Sequence, residues 1–226
     1  MNYQVSKRIF DLSFSIILLL LLMPAIVLIC TLIVFQTGES PFFIQERRIS
    51  LTNNKFRIFK FRTLEWNTDT GNADNISLLK PHFKEFVFPF GSFLRKTGLD
   101  ELPQLLNVLK GEMSLVGPRP LSLDDLMNIK MHRPSLYNER NEMNALPGIT
   151  GYWQLNKDKS GSIENLVFLD MYYYQHKSFL LDLKLIFSSI IIALSASHHD
   201  SILSPKEINY FAGIAENEVA VNLMEN

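Results

Sequence analysis

The chain has 226 residues, 47% of them apolar, and its 22 basic and 23 acidic side chains leave a net charge of −1. That length suits one domain with room for an anchor, and the balanced charge lacks the basic excess that binding to a nucleic-acid backbone demands. The single cysteine, Cys30, excludes an internal disulfide and fits a reducing compartment.

Lys7 and Arg8 precede an uncharged stretch from Ile16 to Phe35 that is long enough to cover a bilayer core, which needs roughly 20 apolar residues. The stretch is too long for a signal peptide, and no small-residue cleavage site follows it. Pro24 near its middle removes a backbone hydrogen bond and predicts a kink. The larger basic cluster after it, Arg47, Arg48 and Lys55, puts the globular part in the cytoplasm. Cations at both ends favour a hairpin that enters and leaves on one face; a straight span competes with it.

Gly38 to Pro41 breaks the pattern, and Phe42 to Thr63 then carries six cations against one acid, Glu46. Lys55 to Arg62 mixes charge with aromatics and reads as extended chain. Arg47 and Arg48 are expected on anionic lipid head groups, and Lys60 and Arg62 in a phosphate site. Asn67 to Asn75 reads as an exposed loop, Ser77 to Phe88 as a short amphipathic helix, and Pro89-Phe90-Gly91 as a turn.

The segment from Leu94 to Pro120 carries most of the chemistry. Pro103 belongs in the first turn of a helix, because it has no N–H to donate, so the helix start falls between Gly98 and Leu102. Leu102, Leu105, Leu106 and Leu109 form an apolar stripe at helical spacing. Asp100 and Glu101 therefore sit at the helix mouth, where free N–H groups gather and phosphate also binds. A charged first turn that only caps the helix fits the same residues. Arg95 and Lys96 before the pair and Arg119 after it point instead to phosphate and a divalent metal.

Met113 to Val116 is a short apolar run, and Gly117-Pro118-Arg119-Pro120 a rigid loop presenting Arg119. Residues 121 to 144 read as helical and polar, and Pro147 to Gly151 as a second tight loop. Aromatics from Phe168 to Tyr174 surround Asp170, which could ligate a metal or pair with an arginine. Phe179 to Leu194 is too short to span and fits an interfacial helix. His198-His199-Asp200 reads as a solvated connection, and the segment beyond Ser204 as peripheral.

Lys7-Arg8-Ile9-Phe10-Asp11, Phe59-Lys60-Phe61-Arg62-Thr63, the segment from Leu99 to Pro120, Pro147-Gly148-Ile149-Thr150-Gly151 and Asp170-Met171-Tyr172-Tyr173 occur in a family's order over residues 6 to 190. On these motifs the chain resembles a bacterial sugar transferase of the monotopic phosphoglycosyl transferase superfamily. The resemblance implies an α/β fold, helix-rich with a small sheet. It implies a re-entrant N-terminal helix over residues 1–36, held by Lys7, Arg8 and Pro24, and a catalytic domain over 37–200 with interfacial amphipathic helices. Residues 201–226 would be a tail.

The implied reaction moves a phosphosugar from a UDP-sugar to polyprenyl (undecaprenyl) phosphate on the cytoplasmic face of the bacterial inner membrane, releasing UMP. Asp100 would be the nucleophile, forming an aspartyl-phosphosugar intermediate, and Glu101 would hold Mg²⁺, with Asp170 as a possible second ligand. Lys60, Arg62, Arg95 and Arg119 would bind substrate phosphates. The chain departs from the family at Met23, Ile49, Ser92 and Tyr152-Trp153, where serine, glycine, arginine and a Trp-Ala pair are usual. A nucleotide-sugar hydrolase and a membrane-anchored scaffold are the alternatives. The residues leave the sugar and the oligomeric state unread.

Overall fold

A computed structural model describes residues 3–49, 55–64, 87–155 and 163–194. The expected loop at Asn67–Asn75, nearly all of the expected helix at Ser77–Phe88, the His198-His199-Asp200 cluster and the tail lie outside the described residues. Helix α1 runs unbroken from Tyr3–Thr37, with Pro24 inside it. It is the one described helix long and apolar enough to cross a membrane. Gly38, at φ 69°, follows it in the left-handed conformation that glycine adopts without a Cβ penalty.

Strand β1 (Phe42–Arg47) pairs antiparallel with β2 (Phe56–Phe61), from Phe42 opposite Phe61 to Arg47 opposite Phe56. Phe56, Ile58 and Phe61 are buried. A backbone bridge between Arg48 and Leu121 ties the end of β1 to the next layer. The turn expected at Pro89-Phe90-Gly91 is instead the first turn of a separate helix, α2 (Pro89–Thr97), because Pro89 has the fixed φ of a first helical residue. Gly91 lets that first turn lie on the chain after β2: a Cβ there would stand 2.5 Å from the Thr63 carbonyl oxygen.

The helix expected at the carboxylate pair starts as a 3₁₀ turn over Leu99–Gln104 and continues as α3 (Leu105–Lys110). A 3₁₀ turn takes three residues, not 3.6, and this moves the apolar stripe. Its buried positions after Leu102 are Leu105 and Val108, while Leu106 is exposed.

Strand β3 (Ser114–Val116) pairs parallel with β4 (Gly148–Thr150). The tight loop expected at Pro147–Gly151 is therefore largely strand. The correction has a steric cause, since Gly117 and Gly148 bring two backbones closer than side chains would permit. A Cβ on Gly117 would meet the Leu146 carbonyl oxygen and stand 2.7 Å from the Gly148 nitrogen. Gly117→Ala should therefore cost about 1–3 kcal/mol through overpacking against rigid backbone, read as a lower denaturation midpoint.

The helical region after Leu121 divides into α4 (Leu123–His132) and α5 (Pro134–Asn141) at Pro134. The short α6 (Tyr152–Leu155), α7 (Ile163–His176) and α8 (Phe179–Leu194) follow. The main core joins Phe56, Ile58, Leu105, Val108, Met113, Leu115, Val116, Tyr173 and Leu185, and Phe10, Phe14, Leu18 and Leu19 of α1 pack against it. A second cluster joins Ile29 and Ile33 of α1 to Phe61, Phe88 and Leu94. Both halves of α1 thus touch the same domain.

Candidate active site

The carboxylate pair is placed by a sharp change of direction. Helix α2 ends with Arg95 and Lys96 in its last turn and stops at Gly98, whose φ of 69° turns the chain into the 3₁₀ segment. Asp100 and Glu101 occupy the first turn of that segment, with the Glu101 N–H bonded to the Gly98 carbonyl at 3.1 Å.

Lys60 reaches the pair from β2, with its Nζ 2.7 Å from Glu101 Oε1. Asn107 on α3 holds β2 in that register. Its Oδ1 accepts from the Phe59 N–H at 3.1 Å, and its Nδ2 donates to the Arg57 carbonyl at 2.6 Å. Arg95 donates from Nε to Thr63 Oγ1 at 2.8 Å, and its charge acts on Asp100.

The pKa of the Asp100 carboxyl is raised to about 6: burial is the main cause, the Glu101 charge adds to it, and Lys60 and Arg95 oppose the shift. The chain thus carries a carboxylate that is ionised at neutral pH but more basic than an ordinary aspartate, flanked by two cations.

A small cavity beside Glu101 is lined by Arg47, Ile58, Lys60, Gln104, Arg119 and Trp153, among others. Arg119 is held at its main chain: its N–H donates to both oxygens of Asp170, at 3.1 and 3.2 Å, and its carbonyl accepts from Arg140. Arg140 also pairs with the Asp170 carboxylate, and both side chains are fully buried. The Arg119 guanidinium lies 4.2 Å from the centre of the Trp153 ring.

Arg47, expected on lipid, instead lines this cavity with 13% of its side chain exposed, 3.7 Å from Asp125 and bonded to Gln45 at 2.6 Å. Asp125 is fixed by a capping box with Ser122 at the start of α4. Burial and the nearby Arg119 charge lower the Arg47 pKa to about 10, and burial also lowers that of Arg119. Two guanidiniums facing one cavity suit an anion with more than one negative charge.

Lys60 and Arg119 are thus brought to Glu101, and Arg95 lies within electrostatic reach of Asp100. Arg62 is turned elsewhere, donating from Nε to the Ser40 carbonyl at 2.7 Å. Asp170 is bonded to Arg140 and the Arg119 N–H. Among the described residues no three His, Cys, Asp or Glu side chains group as a metal cage.

Lys7 lies 2.9 Å from Asp182 and 3.9 Å from Asp11, and Arg8 donates to the Met113 carbonyl at 3.5 Å. Asp182 also accepts from Tyr3 at 2.9 Å and Tyr173 at 2.7 Å, while Asp11 accepts from Ser114 at 2.7 Å. These cations tie the start of α1 to the domain, beside an open cavity of about 820 Å³ that contains neither carboxylate of the pair.

Sequence reasoning missed Arg47, Gln104, Asp125 and Arg140 as contributors to the site. For Asp125 a signal was present, because Ser122 followed three residues later by an acid reads as a capping box. Arg140 carried none, since its partner stands 30 residues away.

Comparison with known proteins adds the lineage. The family model described as "Bacterial sugar transferase" matches residues 2–196. The chain is similar to the exopolysaccharide production protein ExoY of Sinorhizobium fredii, 36% identical over 199 residues, covering 82% of this chain and 84% of that protein. It is 38% identical over 188 residues to the uncharacterized sugar transferase EpsL of Bacillus subtilis, covering 81% and 84%. It is 33% identical over 193 residues to a UDP-glucose:undecaprenyl-phosphate glucose-1-phosphate transferase of Klebsiella pneumoniae, covering 83% of this chain and 40% of that longer protein.

Proposed function

We propose that this chain, which belongs to the bacterial sugar transferase family, is a phosphoglycosyl transferase that moves a phosphosugar from a UDP-sugar to undecaprenyl phosphate, initiating surface-glycan synthesis. The carrying observation is Asp100. It is a carboxylate with a pKa raised to about 6, next to Glu101, which Lys60 pairs with, and within the electrostatic reach of Lys60 and Arg95. The reaction named for the Klebsiella relative supports the substrate pair.

In the first step a carboxylate oxygen of Asp100 attacks the phosphorus that bears the sugar. The bond from that phosphorus to the bridging oxygen breaks, and UMP leaves with its electron pair. In the second step an oxygen of undecaprenyl phosphate attacks the same phosphorus and the Asp100 carboxylate departs. An acyl phosphate keeps the group reactive, whereas a serine ester would trap it. Phosphoryl transfer depends chiefly on positioning and charge neutralisation. Lys60, Arg95, Arg119 and Arg47 supply cationic charge around the pair.

The donor set fits Mg²⁺: one or two adjacent carboxylates, completed by substrate phosphates and water, suit that ion and not a full protein cage. Glu101, with Asp100 beside it, would hold the ion. Bound there, it would neutralise phosphate charge. Asp170 has no part in this reading, because its oxygens are engaged by Arg140 and Arg119.

The reaction joins a soluble donor to a lipid acceptor, and we place the enzyme on the cytoplasmic face of the inner membrane, attached to one leaflet by a re-entrant α1. The packing of α1 supports this. Residues as far along as Leu19 touch one core cluster, and from Ile26 onward they touch the other. The step from Leu19 to Ile26 rises only about 10 Å, against a hydrocarbon core of about 30 Å. A domain on one side of a bilayer could not hold both ends of a spanning helix. Helix α8 exposes Phe179, Leu183, Phe187, Ile190 and Leu194 at helical spacing, which suits an interfacial helix.

The test is UMP release by the full chain in nanodiscs, with a panel of UDP-sugars. With undecaprenyl phosphate present, release should be continuous and should stop reversibly when the divalent ion is chelated. Without the lipid, release should halt after one equivalent per enzyme. Continued release without lipid would identify a hydrolase, and no release with any UDP-sugar would leave a scaffold.

A further inference from the structure

Arg119 is fixed at both its backbone polar groups but not by that means at its guanidinium. Its N–H is held by Asp170 and its carbonyl by Arg140, while four side-chain bonds separate that anchored main chain from the charge. Among the described residues its guanidinium forms no ion pair within 4 Å. What meets it is the face of Trp153, at 4.2 Å.

The ring is seated with little freedom. Trp153 is 6% exposed, and its Nε1 and Cδ1 stand 2.6 and 2.7 Å from where a Cβ on Gly151 would be. Only glycine at 151 leaves space for the indole. The neighbouring Tyr152 turns away and packs on Tyr172, with ring centres 4.9 Å apart. Tyr152 thus belongs to the α7 interface and Trp153 to the cavity.

The charges around Arg119 pull it in other directions. Glu101, Asp170 and Asp125 attract it, and Arg140 and Arg47 repel it. A free guanidinium would swing toward Glu101 and compete with Lys60 and the metal for the same carboxylate. The electron-rich face of an indole offsets that pull at the guanidinium plane and leaves the N–H edge open.

We propose that Trp153 is a positioning residue for substrate binding: its ring holds the Arg119 guanidinium away from Glu101, with its N–H edge free for the diphosphate of the nucleotide sugar. This rests on the transferase reading for its substrate, but the ring–arginine contact can be tested without it.

The experiment compares wild type, Trp153→Phe and Trp153→Leu in the full chain. Phenylglyoxal labelling of the Arg119 peptide, followed by mass spectrometry, reads the contact directly. Labelling should speed up in Trp153→Leu and return toward the wild-type rate in Trp153→Phe, which keeps a π face. The KM for the UDP-sugar should rise about tenfold in Trp153→Leu, with Phe restoring most of it and kcat changing less than KM.

Equal labelling in all three proteins would overturn the proposal. So would equal KM values in all three, or a loss in kcat and thermal stability that Phe does not rescue, which marks plain packing. Failure of the wild type to turn over any UDP-sugar would sink the transferase reading instead, and the labelling arm would still decide the contact.

Discussion

Replacing Asp100 by asparagine should abolish both UMP release and the covalent phosphosugar adduct, while the protein stays folded. An amide oxygen at that position cannot form an acyl phosphate that later releases a carboxylate, so the loss should be on the order of 10³-fold or more. The electrostatics make the control clean. Burial raises the folded-state pKa of Asp100 to about 6, so the folded protein binds that proton more tightly than the unfolded chain does. The charged carboxylate therefore costs stability above pH 6, and the cost fades as pH falls toward the ordinary aspartate value near 4. Asp100→Asn should melt no lower than wild type at pH 8. Single-turnover UMP release by wild type should fall as pH drops through about 6, because protonated Asp100 is no nucleophile. Mass spectrometry of quenched enzyme should find the adduct on the Asp100 peptide of wild type alone. Normal turnover by the variant, or an adduct elsewhere, would remove Asp100 from the mechanism.

Arg140→Met should cost about 3–5 kcal/mol, the effect of stranding one partner of a fully buried ion pair. Arg140 and Asp170 have essentially no exposure, and Arg140 also donates to the carbonyls of Ile49, at 2.9 Å, and Arg119. Removing it leaves a buried carboxylate without its cation and two carbonyls without a donor. Domains of this kind have only about 5–15 kcal/mol in hand, so the denaturation midpoint should fall markedly. The double variant Arg140→Met with Asp170→Leu removes both charges and should regain part of that stability. It should not regain activity, because the Arg119 main chain then lacks both its holds, Asp170 at the N–H and Arg140 at the carbonyl. Full activity in the double variant would show that Arg119 is positioned by other means.

The features readable along the chain are those set by near neighbours. Pro103 and Gly98 impose backbone conformations, so the turn that presents Asp100 and Glu101 was legible, as was the extended stretch around Lys60. The exact phase of the helix was not. The short 3₁₀ segment moved the buried positions to Val108 and left Leu106 outside. The chain around Gly148 reads as a loop in isolation, and it becomes strand only because Gly117 lies against it.

By itself the sequence determined the apolar N-terminal helix, the acidic pair at a turn of fixed geometry, and the motifs that place the chain among the bacterial sugar transferases. Tertiary structure alone decided where each cation went. Arg47 faces the cavity instead of lipid, Arg62 bonds to the Ser40 carbonyl, Lys7 meets Asp182 across the fold, and Arg140 holds Asp170 beneath Arg119. The reason is range. Backbone preference and hydrophobic period act over a few residues, whereas a charged side chain takes whatever partner the completed fold brings within a few ångströms, however distant along the chain.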